Sequence, residues 1–249
     1  MAAALATSLG AAPQAPDPAQ LIAAARQALG GEARLNAVRT FRAVGAIESA
    51  DGPGPSRTYG SFEIDCELPD RFVETESRRY VDAGLGAGVD VGSTTPTGSG
   101  AVGYSSSRPA STIGFNGQSA IYEPSRYYAG WSSPAWTWGP SDPPPVADAK
   151  LKEAMSNARR DFVRWTMGLF AATFNVPQPF GQLQVDSSTH LPVRLGTLEY
   201  LDYRDVNGLK VPFRLRQLKP GRTDWIVHDF KFNVDIPAKT FQPTKASGK

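Results

Sequence analysis

The sequence predicts an α+β fold in which antiparallel strands joined by short turns form a sheet and a few helices pack against it. The clearest strand signal lies at residues 209–216, where apolar residues alternate strictly with basic residues and a proline. Its apolar positions are Leu209, Val211, Phe213 and Leu215. The dipeptide Asn207-Gly208 precedes this strand and is typical of a type I′ hairpin turn. One face of the sheet is therefore expected to be apolar, and the other basic and solvated.

Three segments have the residue spacing of helices. The first, residues 17–31, offers Asp17 as the N-cap, Pro18 in the first turn and Gly30-Gly31 at the end. A short second helix is predicted directly after it, in residues 32–39.

The main helix is predicted from Val146 to about Phe174, because apolar residues recur there at spacings of three and four. One face consists of Leu151, Met155, Ala158, Phe162, Trp165, Leu169 and Ala172, and a second stripe of Val163, Met167, Phe170 and Phe174. The last three turns are apolar nearly all round and need partners on both sides. Two interpretations stay open: a helix at the centre of the core, or a helix that lines or plugs a cavity.

Strands are predicted on both sides of the main helix. Three consecutive antiparallel strands precede it and a meander follows it, in residues 40–49, 57–68, 70–77 and 182–236. A short hairpin is expected around Asn116-Gly117. Residues 83–111 are rich in glycine and serine, which predicts a flexible insertion. Residues 127–138 hold five aromatic residues that suit insertion at a membrane surface, a ligand cover, stacking on a sugar or a loop packed on itself.

Composition and charge exclude several function classes. The 249 residues include 26 Lys/Arg and 24 Asp/Glu, and a net charge of +2 gives no reason to expect a nucleic-acid partner. The longest internal uncharged run, residues 165–185, contains Pro177 and Pro179, so no transmembrane segment is predicted. Cys66 is the only cysteine, and its place on an alternating strand predicts a buried thiol rather than a nucleophile.

No catalytic or metal-binding constellation is predicted. Ser119 lacks the second glycine of a nucleophile elbow, and His190 and His228 are the only histidines. Two separated histidines and one cysteine do not supply three clustered metal ligands. Glu74 and Glu76 share one strand face, but a solvated edge gives the same spacing. We therefore expect a protein that is not an enzyme and has no cofactor, with His228 as a hydrogen-bonded histidine of the apolar face.

The start of the chain indicates export. Residues 1–16 are uncharged and rich in alanine, like the hydrophobic and cleavage regions of a signal peptide, although no Lys or Arg precedes Arg26. Residues 17–249 are expected to form a single domain, with the flexible insertion at 83–111.

Six short stretches carry a resemblance to a known family. They are "ALGGEARLNAVRTFRAVGAI" (28–47), "LPDRFVE" (68–74), "GFNGQSAI" (114–121), "STHLPVRL" (188–195), "YRDVNGLKVPFRLR" (203–216) and "FKFNVDIPAKTFQP" (230–243). In this order they resemble the periplasmic outer-membrane lipoprotein carriers and the lipoprotein-sorting-like proteins, the LolA/LolB-like half-barrels. Ile121 and the insertion at 83–111 depart from the family pattern.

The resemblance implies a curved antiparallel sheet, a half-barrel, whose concave apolar face is covered by helices and holds a ligand. It also implies a periplasmic location. The residues expected to line that cavity are Phe41, Ile47, Phe62, Ile64, Phe162, Trp165, Leu169, Leu209, Val211, Phe213, Leu215, Ile226, Phe230 and Phe232.

The preferred hypothesis is an exported, non-enzymatic carrier or binder of a lipid, a lipoprotein acyl chain or another hydrophobic ligand. An alternative is an envelope module that senses or binds a partner protein without a lipid. An enzyme is a third hypothesis, and its candidates are Ser119, His190 and His228.

Overall fold

The computed structural model describes residues 17–50, 57–81, 89–90, 104–117, 119–123, 144–170, 182–218 and 221–242. These parts of the chain form three α-helices, eleven β-strands and a 3-10 turn at Ala238–Phe241. The helices are α1 (Pro18–Leu29), α2 (Glu32–Ala37) and α3 (Pro144–Phe170). The strands are β1 (Thr40–Ala50), β2 (Arg57–Glu67), β3 (Arg71–Val81), β4 (Val89–Asp90), β5 (Tyr104–Asn116), β6 (Ala120–Glu123), β7 (Leu183–Val185), β8 (Pro192–Leu195), β9 (Leu198–Val206), β10 (Leu209–Gln217) and β11 (Arg222–Phe232).

The described strands form one sheet with the order β4-β5-β3-β2-β1-β11-β10-β9-β8-β7. β6 also pairs with β5, and only the two-residue β4 runs parallel to its neighbour. Because β1 pairs with β11, the strands before α3 and the meander after it make a continuous sheet. The predicted antiparallel α+β fold is confirmed.

Local sequence signals explain how these elements begin and end. The Asp17 carboxylate accepts a hydrogen bond from the Ala19 amide at 3.1 Å and caps α1, as predicted. At the turn between β9 and β10, Asn207 and Gly208 have φ values of 54° and 81°. These two positive values confirm the type I′ hairpin turn.

The core lies between one face of the sheet and the helices α1 and α3. α3 contacts β3, β5 and β6 from one half of the sheet, β8 and β10 from the other, and α1. From Ala158 onwards both predicted apolar stripes of α3 are buried, with Phe162, Trp165, Leu169 and Phe170 each at most 3% exposed, while Met155 is partly buried. The predicted end of this helix, residues 171–174, lies outside the described residues.

The flexible insertion predicted at 83–111 is wrong for residues 104–111, which belong to β5. β5 pairs with β3 along its length, from Asn116 opposite Arg71 to Ser105 opposite Val81. Hydrogen bonding to a neighbouring strand therefore overrides the low strand propensity of this serine-rich segment. Residues 82–88 and 91–103, like 1–16 and the aromatic residues of 127–138, lie outside the described part of the chain.

The inward and outward positions of β11 also differ from the prediction. Strict alternation places Ile226, His228 and Phe230 on the apolar face. Phe230 is buried on that face, as predicted. Earlier in the strand, however, the buried residues are Trp225 and Val227, which are 4% and 2% exposed, instead of Ile226 and His228. Ile226 is half-buried on the opposite face and His228 is exposed. The prediction that His228 is a core histidine is therefore wrong.

A β-bulge causes this difference. Gly45 of β1 pairs with Val227 and the preceding residue, Val44, pairs with Asp229, so His228 is an extra residue on β11. One extra residue shifts the side-chain alternation by one position. A Cβ atom on Gly45 would overlap the Ile226 carbonyl oxygen, so the close approach of the strands at the bulge requires glycine.

Candidate functional site at the interface of α3 and the sheet

The residues predicted to line an apolar cavity are brought together, with one exception. Twelve of the fourteen lie in one buried cluster, each no more than 8% exposed, and Phe232 packs against that cluster while partly buried. The exception is Ile226, which the bulge turns to the other face. The apolar face is thus a real structural unit, and its role in binding a ligand stays a prediction.

Aromatic residues of α3 join the helix to both halves of the sheet. Phe162 lies 5.9 Å from Phe72 of β3 and 5.4 Å from Phe115 of β5, measured between ring centroids. On the other side, the Tyr200 hydroxyl of β9 donates a hydrogen bond to the Arg164 carbonyl at 2.9 Å. A Cβ on Gly168 would lie 2.5 Å from the Tyr200 ring, so glycine permits this close packing of α3 on β9.

A group of charged side chains lies inside this interface. Phe72, Glu74 and Glu76 alternate along β3, and Phe72 contacts Phe162, so all three face α3. Glu74 is 1% exposed, and Asp161 of α3 is 6% exposed. Such burial of carboxyl groups is rare unless charged partners accompany them. We call Glu74, Glu76, Asp161 and Arg164 the buried charge cluster.

Arg164 is the cation of the buried charge cluster. Its Nη2 atom lies 2.7 Å from Asp161 Oδ1, and its guanidinium lies over the Trp225 ring at 4.3 Å from the centroid. Burial opposes the charge of Arg164, but Asp161, Glu74 and Glu76 together raise its pKa above the usual value. Arg164 is therefore a permanent positive charge inside the interface.

Glu76 is paired, and Asp161 partly so. Burial raises the pKa of Glu76, but the guanidinium of Arg78, at 2.8 Å, and the indole N–H of Trp225, at 3.2 Å, outweigh it and lower that pKa below the usual range. The pKa of Asp161 is raised, because burial outweighs the attraction of Arg164. The Oδ1 atom of Asp161 forms an ion pair with Arg164, but the geometry of this contact is not that of a hydrogen bond.

Glu74 is the member of the buried charge cluster without a cationic partner. Within the described structure, neither of its carboxyl oxygens makes a hydrogen bond. Burial, followed by the charges of Asp161 and Glu76, raises its pKa well above the usual range, although Arg164 opposes this shift. An unpaired buried carboxyl favours the protonated form, and supplying a cation or a hydrogen-bond donor would favour ionisation.

The candidates for catalysis are not brought together. Ser119 lies in the turn between β5 and β6, His190 in the turn before β8, and His228 at the bulge of β11; all three are exposed. Cys66 is fully buried, and burial raises the pKa of its thiol, as expected for a structural cysteine. Across the described ranges, no group of three His, Cys, Asp or Glu residues is placed to hold a metal ion.

Sequence reasoning missed the buried charge cluster for two reasons. Glu74 and Glu76 were consistent with a solvated edge, but β3 is an interior strand between β2 and β5, so their face is covered and that interpretation is wrong. Arg164 did carry a signal: it is a charged residue among apolar neighbours of α3, three positions after Asp161. Charges placed in a fully covered helix need each other or a ligand.

In the parts of the chain that the structure describes, no helix combines the length and apolar character that a membrane crossing requires. The sequence matches no model of a known protein family, and no curated protein is significantly similar to it.

Proposed function

We propose that the protein is an exported, non-enzymatic binder of a lipid, an acyl chain or another hydrophobic ligand. The ligand binds to the apolar face of a half-barrel when α3 moves away from it. The enclosed apolar side chains of that face supply the binding energy, since burial of apolar surface contributes about 25 cal/mol per Å².

One observation carries the proposal: two residues of α3 only two positions apart contact strands six positions apart in the sheet. Phe162 contacts Phe115 of β5, and the Arg164 carbonyl binds Tyr200 of β9. In a flat sheet, six strand spacings separate β5 from β9 by about 29 Å. A helix with its side chains is only about 10–12 Å across. This disparity supports a sheet that curves around α3, with α3 on the concave side.

The buried charge cluster supports movement of α3. Glu74 accepts no hydrogen bond, and the indole N–H of Trp165 has no partner, although Trp165 is 1% exposed. A buried polar group without a partner costs about 1–3 kcal/mol. The contact between α3 and the sheet is therefore less stable than a contact made only of apolar side chains. An apolar ligand can compete with α3 for the apolar face of the sheet.

The test combines native mass spectrometry with uptake of an uncharged fluorescent hydrophobic probe, Nile red. Protein purified without detergent from an exported preparation is expected to carry a lipid-sized mass that organic extraction removes. The extracted protein is expected to take up the probe.

A matched pair of variants locates the site of uptake. Phe213 is 8% exposed and lies 4.5 Å from the guanidinium of Arg204, an exposed cation already paired with Asp202, so Phe213→Glu joins an existing ion pair. It should reduce uptake at least tenfold, while the control Tyr59→Glu, at an exposed position, should leave uptake unchanged. A wild-type protein that has no bound mass and takes up no probe would overturn the proposal.

A further inference from the structure

We propose that Glu74 binds the amine of an amphiphile, so that the ligand is a long-chain amine whose cationic head enters the buried charge cluster. This inference rests on the proposed function and names the chemical class of its ligand. It starts from the excess of carboxyl groups over cations within the interface of α3 and the sheet.

The pairing of the charged groups in and around the buried charge cluster shows which carboxyl group has no cation as its partner. Three carboxyl groups, those of Glu74, Glu76 and Asp161, face the guanidinium groups of Arg164 and Arg78, and the exposed Arg160 attracts Asp161 from the solvent side. Arg78 is committed to Glu76 through two hydrogen bonds of 2.8 and 2.9 Å, and Arg164 pairs with Asp161 at 2.7 Å. The one carboxyl group left over is Glu74.

The position of the Glu74 carboxyl group determines which ligand head groups it can bind. Both oxygens are buried and unpartnered, and they lie on the β3 face that meets α3. An ammonium group offers up to three N–H donors, which suits two free carboxylate oxygens. A carboxylate or phosphate head would instead add a negative charge beside Glu74, Asp161 and Glu76, and this like-charge repulsion selects against fatty acids and phospholipid anions.

The surroundings also suit an organic cation with an apolar tail. On neighbouring strands, Ile64 and Ile113 pair with Glu74, and Phe62 pairs with Glu76 and contacts Trp165 at 5.5 Å between ring centroids. Aliphatic and aromatic side chains next to a buried carboxylate bind the first methylene groups of an amine and attract its charge.

Binding has a defined proton balance. In the closed protein the unpaired Glu74 carboxyl group holds its proton. When R–NH3+ binds, Glu74–COOH becomes Glu74–COO−, an ion pair forms and one proton passes to the solvent. Alcohols with the same tail form no ion pair and release no proton.

The experiment compares dodecylamine, dodecanol and dodecanoate, each below its aggregation concentration, by isothermal titration calorimetry at pH 7. The wild-type protein should bind dodecylamine at least tenfold more tightly than dodecanol and should bind dodecanoate most weakly. Titration in buffers of different ionisation heat should show release of about one proton with the amine only.

Glu74→Gln is the decisive variant, because glutamine keeps the size and loses the ionisable group. It should reduce the affinity for dodecylamine to that for dodecanol, abolish proton release and leave dodecanol binding unchanged. Glu63→Gln, at an exposed position of the adjacent strand β2, is the control and should bind like the wild type.

The outcomes separate this inference from the proposed function. If wild-type protein binds all three compounds equally, or if it binds the amine without releasing a proton, the amine site is wrong while the hydrophobic binder stands. If none of the three binds, both proposals fail. The comparison of head groups on wild-type protein decides the matter even if Glu74→Gln does not fold.

Discussion

At the scale of single residues, Asp224 holds the largest ion network on the face of β11 opposite α3. It is 3% exposed, and its Oδ2 atom accepts hydrogen bonds from Arg214 and Arg222 at 2.7 and 2.8 Å, while Oδ1 accepts one from Arg216 at 2.7 Å. Burial raises the pKa of Asp224, but the three arginines outweigh it and lower the pKa to about 2. The basic face predicted for β10 is thus real, and one carboxylate organises it.

We expect Asp224→Asn to lower the free energy of unfolding at pH 7 by about 1–3 kcal/mol, because three arginines lose their shared partner. The lowered pKa also fixes the pH dependence. Asp224 stabilises the folded protein above the unfolded-state pKa of 3.8, and this contribution is lost as the pH falls through about 2. The variant should therefore show a flatter loss of stability between pH 4 and pH 2, measured by urea unfolding.

Asp229→Asn is the control for that measurement. Asp229 forms an exposed ion pair with Lys231 at 2.7 Å, and such pairs contribute little to stability. Equal losses of stability in the two variants would show that Asp224 is merely another surface charge.

At the scale of elements, the packing of α3 depends on one residue without a side chain. Gly168 lies in the last turn of α3, against the Tyr200 ring. The spacing of apolar residues in the sequence does not show that this helix position requires a small residue. Periodicity predicts which face of a helix is apolar, but the distance of approach depends on the partner strand. The helix and its stripes were predictable from Phe162, Trp165 and Leu169; its contact with β9 was not.

Gly168→Ala tests this close packing. Alanine has the higher helix propensity, by about 1 kcal/mol, so an exposed position would gain stability. Here the added Cβ meets the Tyr200 ring at 2.5 Å, and overpacking costs about 1–3 kcal/mol. We expect a net loss in the free energy of unfolding, measured by denaturant titration, together with increased binding of a hydrophobic dye.

Ser156→Ala, at an exposed position of the same helix, is the matched control for Gly168→Ala and should be neutral or slightly stabilising. A stabilised Gly168→Ala protein would mean that α3 is free to shift on the sheet without cost.

At the scale of the whole molecule, much of the fold was predictable and the site was not. Alternation predicted most inward-facing residues of β1, β2 and β10, because each strand has one covered face. The bulge at His228 was not predictable, since it arises from the pairing of β11 with a distant strand. The same holds for Glu74, whose burial depends on α3, about 80 residues further along the chain.

Hydrogen exchange tests whether α3 opens separately from the sheet. We expect α3 amides to exchange through an opening of lower free energy than the amides of β1 and β11, which are hydrogen-bonded to strands on both sides. Exchange followed by mass spectrometry over a range of low urea concentrations should show weak urea dependence for α3. If α3 and β1 share one opening free energy with the full urea dependence, α3 moves only in global unfolding.

Arg26 anchors the C-terminal end of α3. Its Nη1 atom donates a hydrogen bond of 2.6 Å to the carbonyl of Phe170, the last residue of α3, while Glu32 and Asn36 hold the same guanidinium. If α3 moves as proposed, its anchored C-terminal end is the pivot of a lever about 40 Å long. A rotation of about 10° moves the Pro144 end by about 7 Å but Asp161 by only about 2 Å. In the proposed opening, a small swing would therefore shift Asp161 little while separating the start of α3 from β5 and β6.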